Sequence, residues 1–226
     1  MLEKKKLSKN PINKLVGFFC VILFNIKIIS FDWSGFMDTG STAFILICSA
    51  MVCLMTPALA FFYGGLGRRK NVINTMMMSV LPLAIASLLW VVAGYSLSFG
   101  GQGYFFGNIS HLFLHGVSET TSSRGLAITD LLFSAFQMMF SIICVAILTG
   151  SVVGRMRFTP LAIFIVFWLL LVYYPFAHMV WGDGILVKWG TIDFAGGDVV
   201  HITSGVSALV LAIVVGKRRD YGILEH

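Results

Sequence analysis

Five stretches of this chain, residues 39–67, 71–118, 131–154, 158–182 and 199–216, contain no Asp, Glu, Lys or Arg. A helix that crosses the hydrocarbon core of a bilayer needs about 20 apolar residues, and each stretch supplies one such span. In hydrocarbon every backbone N–H and C=O has to be paired within its own segment, which a helix achieves. The pattern restricts the chain to an all-α membrane protein with about five transmembrane helices. Composition agrees: 58% of residues are hydrophobic and 12% charged, against roughly 25% charged in a soluble domain. The net charge of +6 is no signature of nucleic-acid binding. The basic residues sit at the ends of apolar stretches, where orientation bias places them. Cys20, Cys48, Cys53 and Cys144 all fall in apolar segments without zinc-type spacing and read as packing residues. With no nucleophile–base pair and no cluster of metal-ligand type, the sequence predicts neither an enzyme nor a cofactor.

Residues 1–30 begin with Lys4, Lys5, Lys6, Lys9 and Lys14, continue with ten apolar residues at 15–24, and meet Lys27. That order fits a signal peptide, or a retained signal anchor. Residues 31–219 form one membrane domain, with spans expected at about 41–67, 72–99, 126–153, 160–181 and 193–216. Residues 220–226 are a short tail. Pro57 is expected to kink the first span and Pro160 to open the fourth at a first-turn position. The basic groups Arg68–Lys70, Arg155 with Arg157, and Lys217–Arg219 all fall on one side. The loops 100–125 and 182–192 on the other side carry only Arg124 and Lys188. The mature N-terminus is therefore expected outside and the C-terminus in the cytoplasm of a plasma or inner-membrane protein. An odd number of spans with opposed ends is what one half of an inverted-repeat transporter has.

The residues with chemical potential gather at the ends of spans three, four and five. His201 lies in an apolar run after Asp193-Phe194-Ala195-Gly196-Gly197. Burying an imidazole among apolar residues is costly without a partner or a task. It reads either as a core histidine bonded to a neighbouring helix, or as a neutral group that accepts a hydrogen bond from a polar solute or relays a proton. Asp193 reads as a cap that accepts backbone N–H bonds at a helix start, or as a carboxylate that stabilises a cation. Phe136 and Phe140 are four residues apart and share a helix face. Either they pack, or with Trp181 they form an aromatic cage for a cation, in which each contact contributes about 0.5–2 kcal/mol.

Four motifs then occur in order: Phe61-Phe62-Tyr63-Gly64-Gly65-Leu66 followed by Arg69-Lys70-Asn71; Ala135-Phe136-Gln137 with Phe140; Ala177-His178-Met179-Val180-Trp181-Gly182; and Asp193-Phe194-Ala195-Gly196-Gly197 leading through Val199-Val200 to His201. In these motifs the chain resembles the ammonium transporter (Amt/Mep/Rh) family over about residues 40–219. The resemblance implies the first inverted repeat of that fold in a homotrimer, each subunit with its own hydrophobic pore. It implies substrate binding at Phe136 and Trp181, a gate at Phe140, a pore histidine at His201, and an acidic residue of structural and conduction importance at Asp193. The mechanism it implies is capture and deprotonation of ammonium, followed by passage of ammonia and proton through the lumen. A PII-type regulator on the cytoplasmic side is a further family analogy.

Two departures from the family pattern stand out. Family subunits usually have eleven spans, so a second pore histidine, a partner gate phenylalanine and a vestibule serine would come from another half. The expectation is a truncated product, or a split transporter completed by a second half-chain. Locally, Asp183 and Asp198 stand where the family more often has Gly and a small or hydroxylated residue. At α-helical spacing Asp198 would share a face with His201 and favour its charged form. An ammonium-sensing membrane module and a non-conducting fragment are the alternative readings.

Overall fold

The computed structural model describes residues 37–67 and 69–218. The signal-like segment 1–30 and the tail 220–226 lie outside the described residues. Among the described residues five helices are long and apolar enough to cross a membrane: α1 (Thr39–Leu66), α2 (Val72–Phe99), α3 (Asp130–Val152), α4 (158–181) and α5 (Gly197–Val215). The turn at Arg69–Asn71 joins α1 to α2, and residues 153–157 join α3 to α4. The connections 100–129 and 182–196 are longer and meet at the opposite end of the bundle.

Helix starts are set by side chains that satisfy otherwise orphaned N–H groups. Asp38 accepts from the Ser41 N–H at 2.6 Å. Hydrogen bonding at Ser41 also holds the Asp38 carboxyl below the usual carboxylate range. This cap is therefore complete above that range and weakens as the carboxyl protonates on acidification. Thr129 accepts from the Leu132 N–H, so α3 opens at Asp130 rather than near residue 126. The fifth span opens at Gly197, not at 193, because Asp193 and the residues after it form the cap itself.

The middle of the fold is α3, which packs on α1, α2 and α5, while α2 also packs on α4. Every residue from Ser141 to Ala146 on α3 is buried. A helix buried on all sides lies inside a bundle. By contrast α1 and α5 keep apolar side chains such as Phe44, Ile47, Met51, Val206, Leu209 and Ile213 exposed. These are surfaces suited to hydrocarbon or to further apolar protein.

Among the described residues three helices contain a π-turn: Trp90–Gly94 in α2, Leu169–Tyr173 in α4 and Gly197–Ile202 in α5. The first two meet. The Trp90 and Tyr174 rings lie 5.8 Å apart at 63°, and the Trp90 indole N–H donates to Ser134 Oγ at 3.1 Å. Gly94 permits this approach, since a Cβ there would stand 2.6 Å from the Tyr174 ring. Gly94→Ala is expected to destabilise the protein by about 1–3 kcal/mol through overpacking against a buried ring. Thermal unfolding in detergent measures this, and an unchanged midpoint would show that α2 and α4 separate freely here.

Candidate functional site

A cleft of about 990 Å³ opens where α2 ends, α3 begins, α4 ends and the cap of α5 lies. Phe136, Phe140, Trp181, Arg124, Asp183 and Asp193 line it, with Phe99 and Phe133 on the α2 side. Phe136 and Phe140 meet edge to face, 4.9 Å between centroids at 88°. Phe140 meets Trp181 at 6.0 Å and 67°. The three rings expected to act together are thus in one contiguous cluster, and all three are half-buried. An edge-to-face contact covers only one face of one of the two rings, and a ring face is what attracts a cation.

Trp181 is fixed from two sides. Its indole N–H donates to the Asp193 carbonyl at 3.0 Å. Its own carbonyl accepts from the Arg124 guanidinium at 3.3 Å. Asp193 in turn uses both carboxylate oxygens on backbone: one accepts from Gly196 and Gly197 at 2.7 and 2.9 Å, the other from Asp198 and Val199 at 2.9 and 2.8 Å. Gly196 sits at φ 84, which turns the chain back over the carboxylate. Of the two readings open for Asp193, the geometry is that of a cap in which one carboxylate meets four helix-start donors.

The π-turn of α5 carries His201. The carbonyls it displaces are satisfied locally. The Thr203 hydroxyl donates to the Val199 carbonyl, and the Ser204 hydroxyl donates to the Val200 carbonyl at 2.6 Å. The Cys144 thiol donates to the Val200 carbonyl at 3.3 Å. Cys144 lies one helical turn, about 5.4 Å, beyond Phe140 on α3, so the π-turn of α5 is bonded to α3 one turn past the aromatic cluster. The His201 imidazole is exposed and has no hydrogen-bond partner among the described residues. Asp198 precedes it within the same π-turn. A π-turn holds more residues per turn than an α-helix, so the two side chains diverge more than α-helical spacing implies.

Two further residues hold the site together without having been singled out for it in the sequence. Arg124 lies 5.0 Å from the centroid of Phe99 and 5.1 Å from that of Phe133. Its loop is anchored by the Ser123 N–H, which donates to both oxygens of Asp130. The one sequence signal for Arg124 is that it is the lone basic residue between 71 and 154. His178, one turn before Trp181, is fully buried. Its Nδ1 lies 3.0 Å from the Ser98 carbonyl oxygen and its Nε2 2.9 Å from that of Gly103. This clasp ties α4 to the end of α2 and to the loop that follows.

Residues 43–226 match the Ammonium Transporter Family. The chain belongs to that family. It is 46% identical over 184 residues to the ammonium transporter of Bacillus subtilis, covering 81% of this chain and 46% of that protein. Against the ammonium transporter of Aquifex aeolicus it is 40% identical over 217 residues, 94% of this chain and 51% of that protein. The crystal structure of Candida albicans Mep2 superposes with a TM-score of 0.75 at 31% identity, over 84% of this chain and 42% of that one. The chain thus spans about half the length of the curated relatives it matches. Family and five apolar helices together make it a multi-pass membrane protein.

Proposed function

We propose that this chain forms the capture vestibule and one wall of an ammonium conduction path. The observation that carries the reading is the Phe136–Phe140–Trp181 cluster, with the π-turn that carries His201 bonded to α3 at Cys144, one turn past Phe140. Ammonium is drawn to the faces of Phe136 and Trp181, an attraction of about 0.5–2 kcal/mol per ring that suits weak, reversible capture. Phe140, which lines the cleft one turn before the Cys144 contact to α5, acts as the gate. There ammonium loses its hydration and gives up a proton. Ammonia and proton then pass along the lumen, where a neutral His201 imidazole accepts a hydrogen bond from the solute or relays the proton. Asp193 contributes by holding Trp181 and the start of α5 in place.

Residues 31–219 are read as one membrane domain equivalent to the first inverted repeat. Arg155 donates to the Gly216 carbonyl at 3.1 Å, so the ends of α3 and α5 share the basic face of the bundle. In this reading that face is cytoplasmic, the cleft faces outward, and the protein resides in the plasma or inner membrane. The opposing wall of the pore comes from a second half, and the complete assembly is a homotrimer open to a PII-type regulator at the cytoplasmic face.

Methylammonium uptake and current in proteoliposomes, with the chain alone and with a complementary half, test the proposal. Trp181→Leu is expected to raise the KM about 2- to 30-fold, the equivalent of one lost cation–π contact. Phe140→Ala is expected to alter the maximal rate instead. Unchanged flux in both variants overturns the cage and gate assignments. Ammonium binding without flux under every condition points to a sensing module.

A further inference from the structure

We infer that Asp183 is an affinity-determining residue of the vestibule, supplying the carboxylate that offsets the Arg124 charge and concentrates cations at the aromatic cluster. The inference rests on the capture reading above. At the end of α4 the N–H groups of Gly182 and Gly184 both donate to the His178 carbonyl, at 2.9 and 3.1 Å. Between them Asp183 takes φ 65, in the left-handed region. Glycine occupies such a position without steric cost, whereas a residue with a Cβ is disfavoured there, Asp less than most. The turn therefore works against this side chain, and its carboxylate is left exposed on the cleft wall.

The electrostatics of the cleft give that carboxylate a task. Arg124 places a full positive charge in a cleft proposed to attract cations, and it stacks on Phe99 and Phe133. Asp193 lines the same cleft, but its two oxygens already receive four backbone N–H donors. Asp130 is buried and bonded to the Ser123 N–H. Asp183 remains as the lining carboxylate with no hydrogen-bond partner among the described residues. Open to solvent, it acts through a long-range field that salt screens.

The experiment titrates the chain in nanodiscs with ammonium chloride, against sodium chloride at matched ionic strength, and reads tryptophan fluorescence, with Trp181→Phe as the signal control. Asp183→Asn and Asp183→Gly are both expected to raise the apparent Kd about two- to five-fold at low ionic strength, with the difference disappearing near 0.5 M salt. Asp183→Gly is expected to melt at the same temperature as the parent or higher, because glycine relieves the left-handed backbone. Weaker capture together with undiminished stability supports the inference. Parent-like affinity in both variants, or a stability loss in Asp183→Gly with affinity unchanged, overturns it and leaves the side chain a turn former. If the unaltered chain gives no ammonium-dependent signal, the capture reading itself falls and takes this inference with it.

Discussion

Asp193→Ala is expected to produce the largest loss of any single change at the site. The substitution removes the acceptor for four backbone N–H groups at once. One N-cap is worth about 0.5–2 kcal/mol, and charge-assisted hydrogen bonds contribute more than neutral ones. We therefore expect a cost of about 3 kcal/mol, with the first turn of α5 frayed. The Trp181 indole donates to the carbonyl of the same residue, so the disorder spreads to the cleft. Melting should fall, tryptophan emission should shift to the red, and methylammonium uptake should be lost. Asp193→Asn keeps one acceptor oxygen and should fall between. A variant that melts like the parent but no longer captures ammonium would transfer Asp193 from the capping role to direct electrostatics.

Gly182→Ala is expected to come close behind. A Cβ at this position would lie 2.1 Å from the Ser98 carbonyl oxygen and 2.7 Å from His178 Nδ1. The first of these is backbone at the end of α2 and cannot rotate aside, and the second belongs to a fully buried ring. Either α4 moves away from α2, or the His178 clasp on Ser98 and Gly103 opens. We expect a cost of about 3 kcal/mol, at the upper end for an inserted methyl group, and a raised KM because Trp181 immediately precedes this glycine. Parent-like melting and uptake would show that the clasp does not position the cleft.

The membrane fold was legible because one physical demand dominates it. A chain in hydrocarbon has to pair its backbone internally, and uninterrupted apolar stretches advertise where that happens. The candidate residues Phe136, Phe140, Trp181, Asp193 and His201 were named from three of the four motifs that carry the family resemblance. Their mutual arrangement was not legible. Nothing in the sequence marks the π-turns at Trp90–Gly94, Leu169–Tyr173 and Gly197–Ile202. A π-turn depends on neighbours that satisfy the displaced carbonyls, such as Cys144 on α3 reaching Val200 on α5 across 56 residues. The α-helical pairing of Asp198 with His201 lost its basis for that reason.

Arg124 shows the same limit from another side. In sequence it is the lone Lys or Arg of the 100–125 loop, and it counted only toward the expected orientation. In the fold it stacks on rings from two helices and bonds the carbonyl of a residue 57 positions away. His178 was one letter of a motif and turned out to be the buried link between α4, α2 and the following loop.

The sequence by itself determined the class of solvent, the five spans among the described residues and the family, because these follow from local composition and from motifs read in order. The tertiary structure alone decided that Asp193 is spent on four backbone donors, that Arg124 occupies the Phe99 and Phe133 faces, and that Asp183 projects its carboxylate into the cleft from a left-handed turn. Hydrogen bonds and ring contacts are decided over a few ångströms, between groups that the chain brings together only once its helices have packed.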